Sequence, residues 1–368
     1  LLSLLWRRAL VRLRGFGFRR RDKHELVPKW RIHADVTWTA ALGLGMVDNV
    51  RGTSFQAYHL LAALRLGDPG RVARALAAEG LFRGAQSQRA RAAALGVLDR
   101  AEALAREVDD PHAIGFVQLG RGIVEHMSAR WEAARANLED AEHTLRTSCK
   151  GVFWEINTAQ FFLITSAFWS GDFPSLRKIV PPALREAQAR GDVYALANLR
   201  ALACPLLALA DDEPAQGWSH IAESMSEWSQ QGFHVQHLGA LLSQTLLSLY
   251  EGDGRAAYDR ITRAWPNLER SLLLRLELVR TYMSFFRGSS ALAAAGDIGT
   301  SREHLRAAHT CMRTVARGET DYAHGLAQLL RAGLACRRGD RPAAIEHLRA
   351  AVQALEESNT GMYAAAAR

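Results

Sequence analysis

Along this chain apolar side chains recur every three or four residues, in stretches of roughly 18 residues that end at a glycine, an aspartate or an Asp-Pro step. That period marks amphipathic helices, because strands would alternate every second residue. One set of breaks falls near Gly67, Asp109, Gly151, Gly191, Gly232, Leu273, Gly318 and Asn359, at steps of 42, 42, 40, 41, 41, 45 and 41 residues. A second set falls at Ser128-Ala129-Arg130, Gly171-Asp172, Asp211-Asp212, Gly252-Asp253-Gly254, Gly296-Asp297 and Gly339-Asp340. Each unit therefore reads as two helices, each about 27 Å long at 1.5 Å per residue. Asp110-Pro111, Asp212-Glu213-Pro214 and Asp340-Arg341-Pro342 place an N-cap acceptor before a proline in the first turn, where the missing N–H costs nothing. Gly67, Gly191, Gly232 and Gly318 stand where a helix should end in a left-handed residue. The 45-residue step contains Gly296 to Ser301, which reads as a loop insertion.

Small residues supply a packing signature. Gly122, Ala134, Leu138 and Ala141 share their spacing with Ala332, Ala344, Leu348 and Ala351, and nearly so with Thr245, Ala257, Ile261 and Ala264. Small side chains there let the helices of a pair approach closely while the Leu or Ile fills the gap. The pattern predicts an all-α fold, a tetratricopeptide-like α-solenoid of helix pairs with a period of about 41 residues. About eight pairs occupy residues 32–368, behind a connecting segment at 1–31. The stretch from Gly361 to Arg368 reads as a helix cut short, so Met362 and Tyr363 are expected to lack a native neighbour.

Charge modifies this picture at one end only. The formal charge is +8 over 368 residues, and residues 1–31 alone hold ten basic and two acidic side chains. The remaining residues balance, so nucleic acid is a disfavoured partner. Leu2, Leu5, Trp6, Ala9, Leu10 and Leu13 recur at helical spacing among Arg7, Arg8, Arg12 and Arg14. A basic amphipathic helix of this kind can lie on an anionic membrane or on nucleic acid. The favoured reading is a connecting helix whose apolar face docks on the first repeat or on an upstream domain. Hydrophobic residues make up 48% and charged residues 23%, an ordinary globular composition. No uninterrupted apolar run reaches the roughly 18 residues of a transmembrane helix. Cys149, Cys204, Cys311 and Cys336 form no CxxC pair and read as small apolar side chains of a cytoplasmic, reducing compartment.

Catalytic chemistry does not emerge. No glycine precedes a lysine, which excludes a phosphate-cradling P-loop in this segment, and no HExxH occurs. His234 with His237, and His304 with His309, lack cysteine partners and read as ordinary helical histidines. No catalytic, cofactor-binding or metal-ligating residue is assigned, and no cofactor is expected in this segment. In tetratricopeptide-type solenoids the first helix of each pair lines the concave surface. Trp154, Asn157, Gln160, Asn198, Gln236 and His237 open such helices, with Tyr194 nearby. Amide side chains carry both a donor and an acceptor and suit recognition of a peptide main chain. The competing reading has these amides bonding between neighbouring helices. A protein or peptide is the first partner to expect and a small-molecule effector the second.

Specific strings carry a resemblance. Gly43-Leu44-Gly45-Met46-Val47-Asp48-Asn49-Val50-Arg51-Gly52 with Phe55-Gln56 is one, and Trp154 to Gln160 is a second. Gly232 to His237, and Tyr250 to Gly254 with Trp265-Pro266, complete the set. Together these resemble the C-terminal helical-repeat region of large bacterial serine/threonine protein kinases fused to a P-loop ATPase module. The resemblance implies a sensor or scaffold region in cytoplasmic signal transduction, working by protein–protein interaction. ATP and magnesium would belong to upstream domains, and no kinase or ATPase residue is carried over. The alternative is the effector-binding repeat region of an ATPase-regulated transcription activator, with a DNA-binding domain after residue 368.

Overall fold

The computed structural model describes residues 2–47, 49–296 and 301–368, and among these every regular element is helical. Asp48 of the Gly43–Gly52 string and residues 297–300 of the expected loop insertion lie outside the described residues. The chain divides into two compact units, Leu1–Glu125 with Ala136–Ala159, and His126–Arg135 with Gln160–Arg368. Within each unit, consecutive helices pack as neighbours, so the fold is an all-α array of helix pairs.

The first unit holds α1 (Leu2–Arg14), α2 (Pro28–Val47), α3 (Asn49–Leu66), α4 (Pro69–Gly84) and α5 (Arg91–Glu107). It also takes most of α6 (Pro111–Met127) and α7 (Trp131–Ser148), and the start of α8 (Phe153–Ser170). Its interior is alanine-rich, with Ala73, Ala105 and Ala113 meeting where helices approach closely. Buried ion pairs hold it as well. The Glu79 carboxylate, 1% exposed, accepts from Arg8 at 2.5 Å, from Arg83 at 2.7 Å and from the Gln56 amide at 3.2 Å. Arg91 grips Glu125 through two bonds of 2.9 and 2.6 Å.

α1 does not lay its apolar face on the first repeat, one of the two sites expected for it. It docks on α3 and α4 through Arg7, Arg8 and the buried Val11, while Leu2, Leu5, Trp6 and Leu13 face outward. The physical reason is that Glu79 and Gln56 sit beneath it, and a buried carboxylate must be paired.

The second unit continues α8 with α9 (Phe173–Arg190). A continuous helix follows, made of α10 (Val193–Asn198), a π-helical segment Leu199–Ala203 and α11 (Cys204–Ala210). Pro205 explains the π segment: it lacks an N–H and its ring would collide with the carbonyl four residues back. By length and composition Val193–Ala210 could cross a membrane, but 72% of it is buried in the protein. It also carries Arg200, which pairs with Glu223 at 2.7 Å and Glu227 at 3.3 Å. After it come α12 (Pro214–Glu227), α13 (Val235–Tyr250), α14 (Gly254–Arg270), α15 (Glu277–Ala294), α16 (Ser301–Val315), α17 (Asp321–Arg337), α18 (Arg341–Glu357) and α19 (Gly361–Ala367). The first helices of successive pairs, α13, α15 and α17, also pack on one another.

Junction chemistry follows one device. Gly67, Gly171, Gly191, Gly252 and Gly339 take φ between +62° and +80°, and an aspartate follows each. The glycine ends one helix in the left-handed region, and the aspartate caps the next. Asp172, Asp192, Asp253 and Asp340 accept from the N–H three residues on at 2.8–3.1 Å. Two expected junctions differ. At Asp212-Glu213-Pro214, Asp212 adopts φ +59° and Glu213 makes no cap bond. Gly318 is not left-handed; it lacks a side chain because a Cβ would lie 2.4 Å from that of Ala323.

The second unit closes on an aromatic hub. Trp131, 0% exposed, stacks on Trp169 at 6.0 Å, and Tyr322 meets both edge-on at 5.4 and 5.3 Å. Tyr363 of α19 stacks on Trp169 at 5.9 Å. The Trp131 Nε1–H donates to Thr360 Oγ1 at 3.1 Å. α19 is thus seated against the turn between α8 and α9, and Met362 lies against Gly171. Met362 and Tyr363 therefore have neighbours within the chain, at Gly171 and Trp169.

Candidate functional site

Beside the hub lies an apolar cavity of about 120 Å³. Its walls come from the end of α6 and from the first helices of four successive pairs: α8, the π segment with α11, α13 and α15. Phe161, Leu202, Leu242 and Tyr282 line it at steps of 41, 40 and 40 residues, so each pair contributes one equivalent position. Phe162, Phe168, Leu238 and Val279 complete the greasy surface, and Gly239 leaves bare backbone on the α13 wall.

Polar groups at the wall are few and neutral. Burial pushes the His126 imidazole down to about 3, so it carries no charge, and its Nδ1 lies 2.8 Å from Ser166 Oγ. Burial also raises the Tyr282 phenol, which stays protonated. The Thr165 hydroxyl is spent on the Phe161 carbonyl at 3.0 Å. A water occupies about 30 Å³ and needs two to four polar partners, so this space suits an aliphatic or aromatic group better than solvent. It is too small and too apolar for a nucleotide or a stretch of peptide main chain.

The residues expected from the sequence sit elsewhere. Asn198 and Gln236 come together: the Gln236 Nε2–H donates to Asn198 Oδ1 at 3.0 Å between neighbouring helices, both side chains buried. The Gln236 Oε1 has no partner. His237 is half-buried, accepts at Nδ1 from the His234 N–H at 3.0 Å and stacks on Phe233 at 5.6 Å; burial first, then His234, lowers its pKa. Trp154 is half-buried with its indole N–H buried and unpartnered. Asn157 is half-buried and Gln160 buried. None of these six lines the apolar cavity. The cavity residues were passed over because an inward apolar position resembles core. The usable signal was the period itself, projected along the inner face from Phe161.

A second recess, in the first unit, is polar. About 510 Å³ lies between the N-termini of α4 and α6, lined by Arg20, Arg21, Arg71 and Arg74 and by Asp22, Asp68, Asp109 and Asp110. Its charges balance. Arg71 is held by Asp35 through two bonds of 2.8 and 2.7 Å, and Arg20 pairs with Glu107. Burial lowers the Arg74 pKa, and the guanidinium rests 5.8 Å from the Trp38 ring.

Thiol chemistry is suppressed in the core: burial pushes Cys204 up to about 12 and Cys311 up to about 11. Cys336, by contrast, is exposed, and Cys149 is half-buried. Among the described residues no group of three His, Cys, Asp or Glu side chains gathers to hold a metal. No protein-family profile and no curated relative matches the chain.

Proposed function

We propose that this chain is a ligand-sensing helical-repeat region, and that the apolar cavity of the second unit receives the ligand. The observation that carries this reading is the shared wall. Four successive pairs each place a side chain on one small apolar space, so an occupant bears on the packing between all four. The ligand is an apolar group of benzene or short-alkyl size, presented by a small molecule or by a peptide side chain. The sequence resemblance supports reading this sensor as part of a bacterial serine/threonine protein kinase–ATPase signalling protein of the cytoplasm, where occupancy would bias the upstream domains.

Thermal unfolding in the presence of benzene, indole or a short-chain alcohol tests the cavity. A ligand at a hundred times its Kd stabilises by about 2.7 kcal/mol. Gly239→Ala adds a methyl to the wall at ordinary contact distance, 3.4 Å from Leu202 Cβ, and should weaken the shift without unfolding the protein. Equal shifts in both proteins would remove the cavity as the site. Leucine- or phenylalanine-containing peptides form the second arm. For the parent protein, the coding sequence on either side decides. A kinase domain before Leu1 supports the proposal, and a helix-turn-helix after Arg368 supports the transcription-activator alternative.

A further inference from the structure

We infer that α1 is a docking face for an anionic lipid bilayer. The helix is mounted inside out. At 3.6 residues per turn, Leu2, Leu5, Trp6, Ala9 and Leu13 share an arc of roughly 100°. That arc faces solvent: Leu2 and Leu13 are 85% exposed, Trp6 66% and Leu5 61%. The opposite arc is locked to the protein. Arg7 donates to the Ser54 carbonyl and hydroxyl at 3.1 Å, with its guanidinium 4.4 Å from the Tyr58 ring centre. Arg8 donates to Glu79 and Gln56 at 2.5 Å and lies 3.6 Å from the Phe82 ring centre. Rolling the helix to bury its leucines would break the bonds of Arg7 to Ser54 and of Arg8 to the buried Glu79 and Gln56, so the outward ridge is held in place.

The borders of the ridge identify its occupant. Arg12 and Arg14 flank it, Arg19 follows, and residues 2–21 contain no carboxylate. A second copy would bring two arginine-bordered ridges together with no acid between them. A protein partner would need an apolar groove rimmed by acids. An anionic bilayer offers both required properties at once: hydrocarbon that yields to a ridge, and negative headgroups at the level of the arginines. Trp6, 66% exposed on the ridge, is the residue type that favours the membrane interface.

Co-sedimentation of the full chain with vesicles tests this. Binding is expected to phosphatidylcholine vesicles doped with phosphatidylglycerol, and to weaken at least about tenfold without the anionic lipid or in high salt. The triple variant Leu5→Ser, Trp6→Ser, Leu13→Ser removes exposed side chains only. It should lose about a hundredfold in vesicle affinity with an unchanged unfolding midpoint. Arg12→Gln and Arg14→Gln should each cost about fivefold. Absence of vesicle binding, equal binding by the triple variant, or a dimer seen by light scattering that the triple variant abolishes would each overturn the inference. None of these readouts touches the cavity.

Discussion

The two units share one building block, a pair of packed helices, but fill the space between helices by different means. The first unit pairs small residues with directional ionic bonds, centred on a carboxylate, Glu79, that water does not reach. The second gathers Trp131, Trp169, Tyr322 and Tyr363 into a largely dry cluster. The contrast teaches that a repeat pattern dictates spacing and leaves the filling open. An ionic interior fails when one partner is removed, because the remaining charge is stranded. An aromatic interior fails when volume is removed, because the surroundings cannot close the void.

Four measurements break or sharpen that contrast. The largest effect is expected from Trp169→Ala, which empties the centre of the hub and should cost about 3–5 kcal/mol in denaturant unfolding. A cost under about 1 kcal/mol would mean that the hub is not the anchor of the second unit. Glu79→Ala strands Arg8 and should cost about 3 kcal/mol. That penalty should be smaller when Arg8 is also replaced by Met, a coupling that the aromatic unit has no counterpart for.

Acid tests both units through their histidines. His59, whose Nδ1 lies 2.9 Å from the Ala34 carbonyl, is pushed down by burial to about 4, and His126 to about 3. Unfolded, each takes up a proton near pH 6.5. The unfolded chain therefore binds more protons below that pH. Stability is complete above it and falls as the pH drops toward the folded values, by up to about 1.4 kcal/mol per pH unit for each imidazole. His126→Gln should flatten the part of the midpoint-versus-pH curve that belongs to the second unit. The smallest effect carries the opposite sign. The Tyr322 hydroxyl is buried without a partner, so Tyr322→Phe should stabilise by about 1 kcal/mol.

How legible this was depends on the range of the interaction. The helix pairs were readable because glycine and aspartate act locally. Gly171-Asp172, Gly252-Asp253 and Gly339-Asp340 announce a left-handed stop and an N-cap within two residues. The breaks at Ala129 and beside Leu272 carry no such chemistry, with φ of +56° and +65°, and only the period located them. The orientation of α1 was not readable. Its spacing shows which face is apolar, and only the buried Glu79, some 70 residues on, decides which face turns inward. For the amides Asn198 and Gln236 the sequence offers both a concave ligand face and a bond between neighbouring helices, and the structure shows them bonded to each other. The cavity was hidden because its lining obeys the same rule as core.

The bond between Trp131 and Thr360 spans 229 residues of chain. An open array of repeats gains stability one neighbour at a time, so folding can begin anywhere and spread. Closing so long a loop carries an entropy cost that local contacts do not. The second unit therefore combines fast local pairing with one slow, late event, the seating of Tyr363 on Trp169. During synthesis the hub stays incomplete until residue 363 has left the ribosome, and its aromatic side chains are within reach of chaperones for all that time.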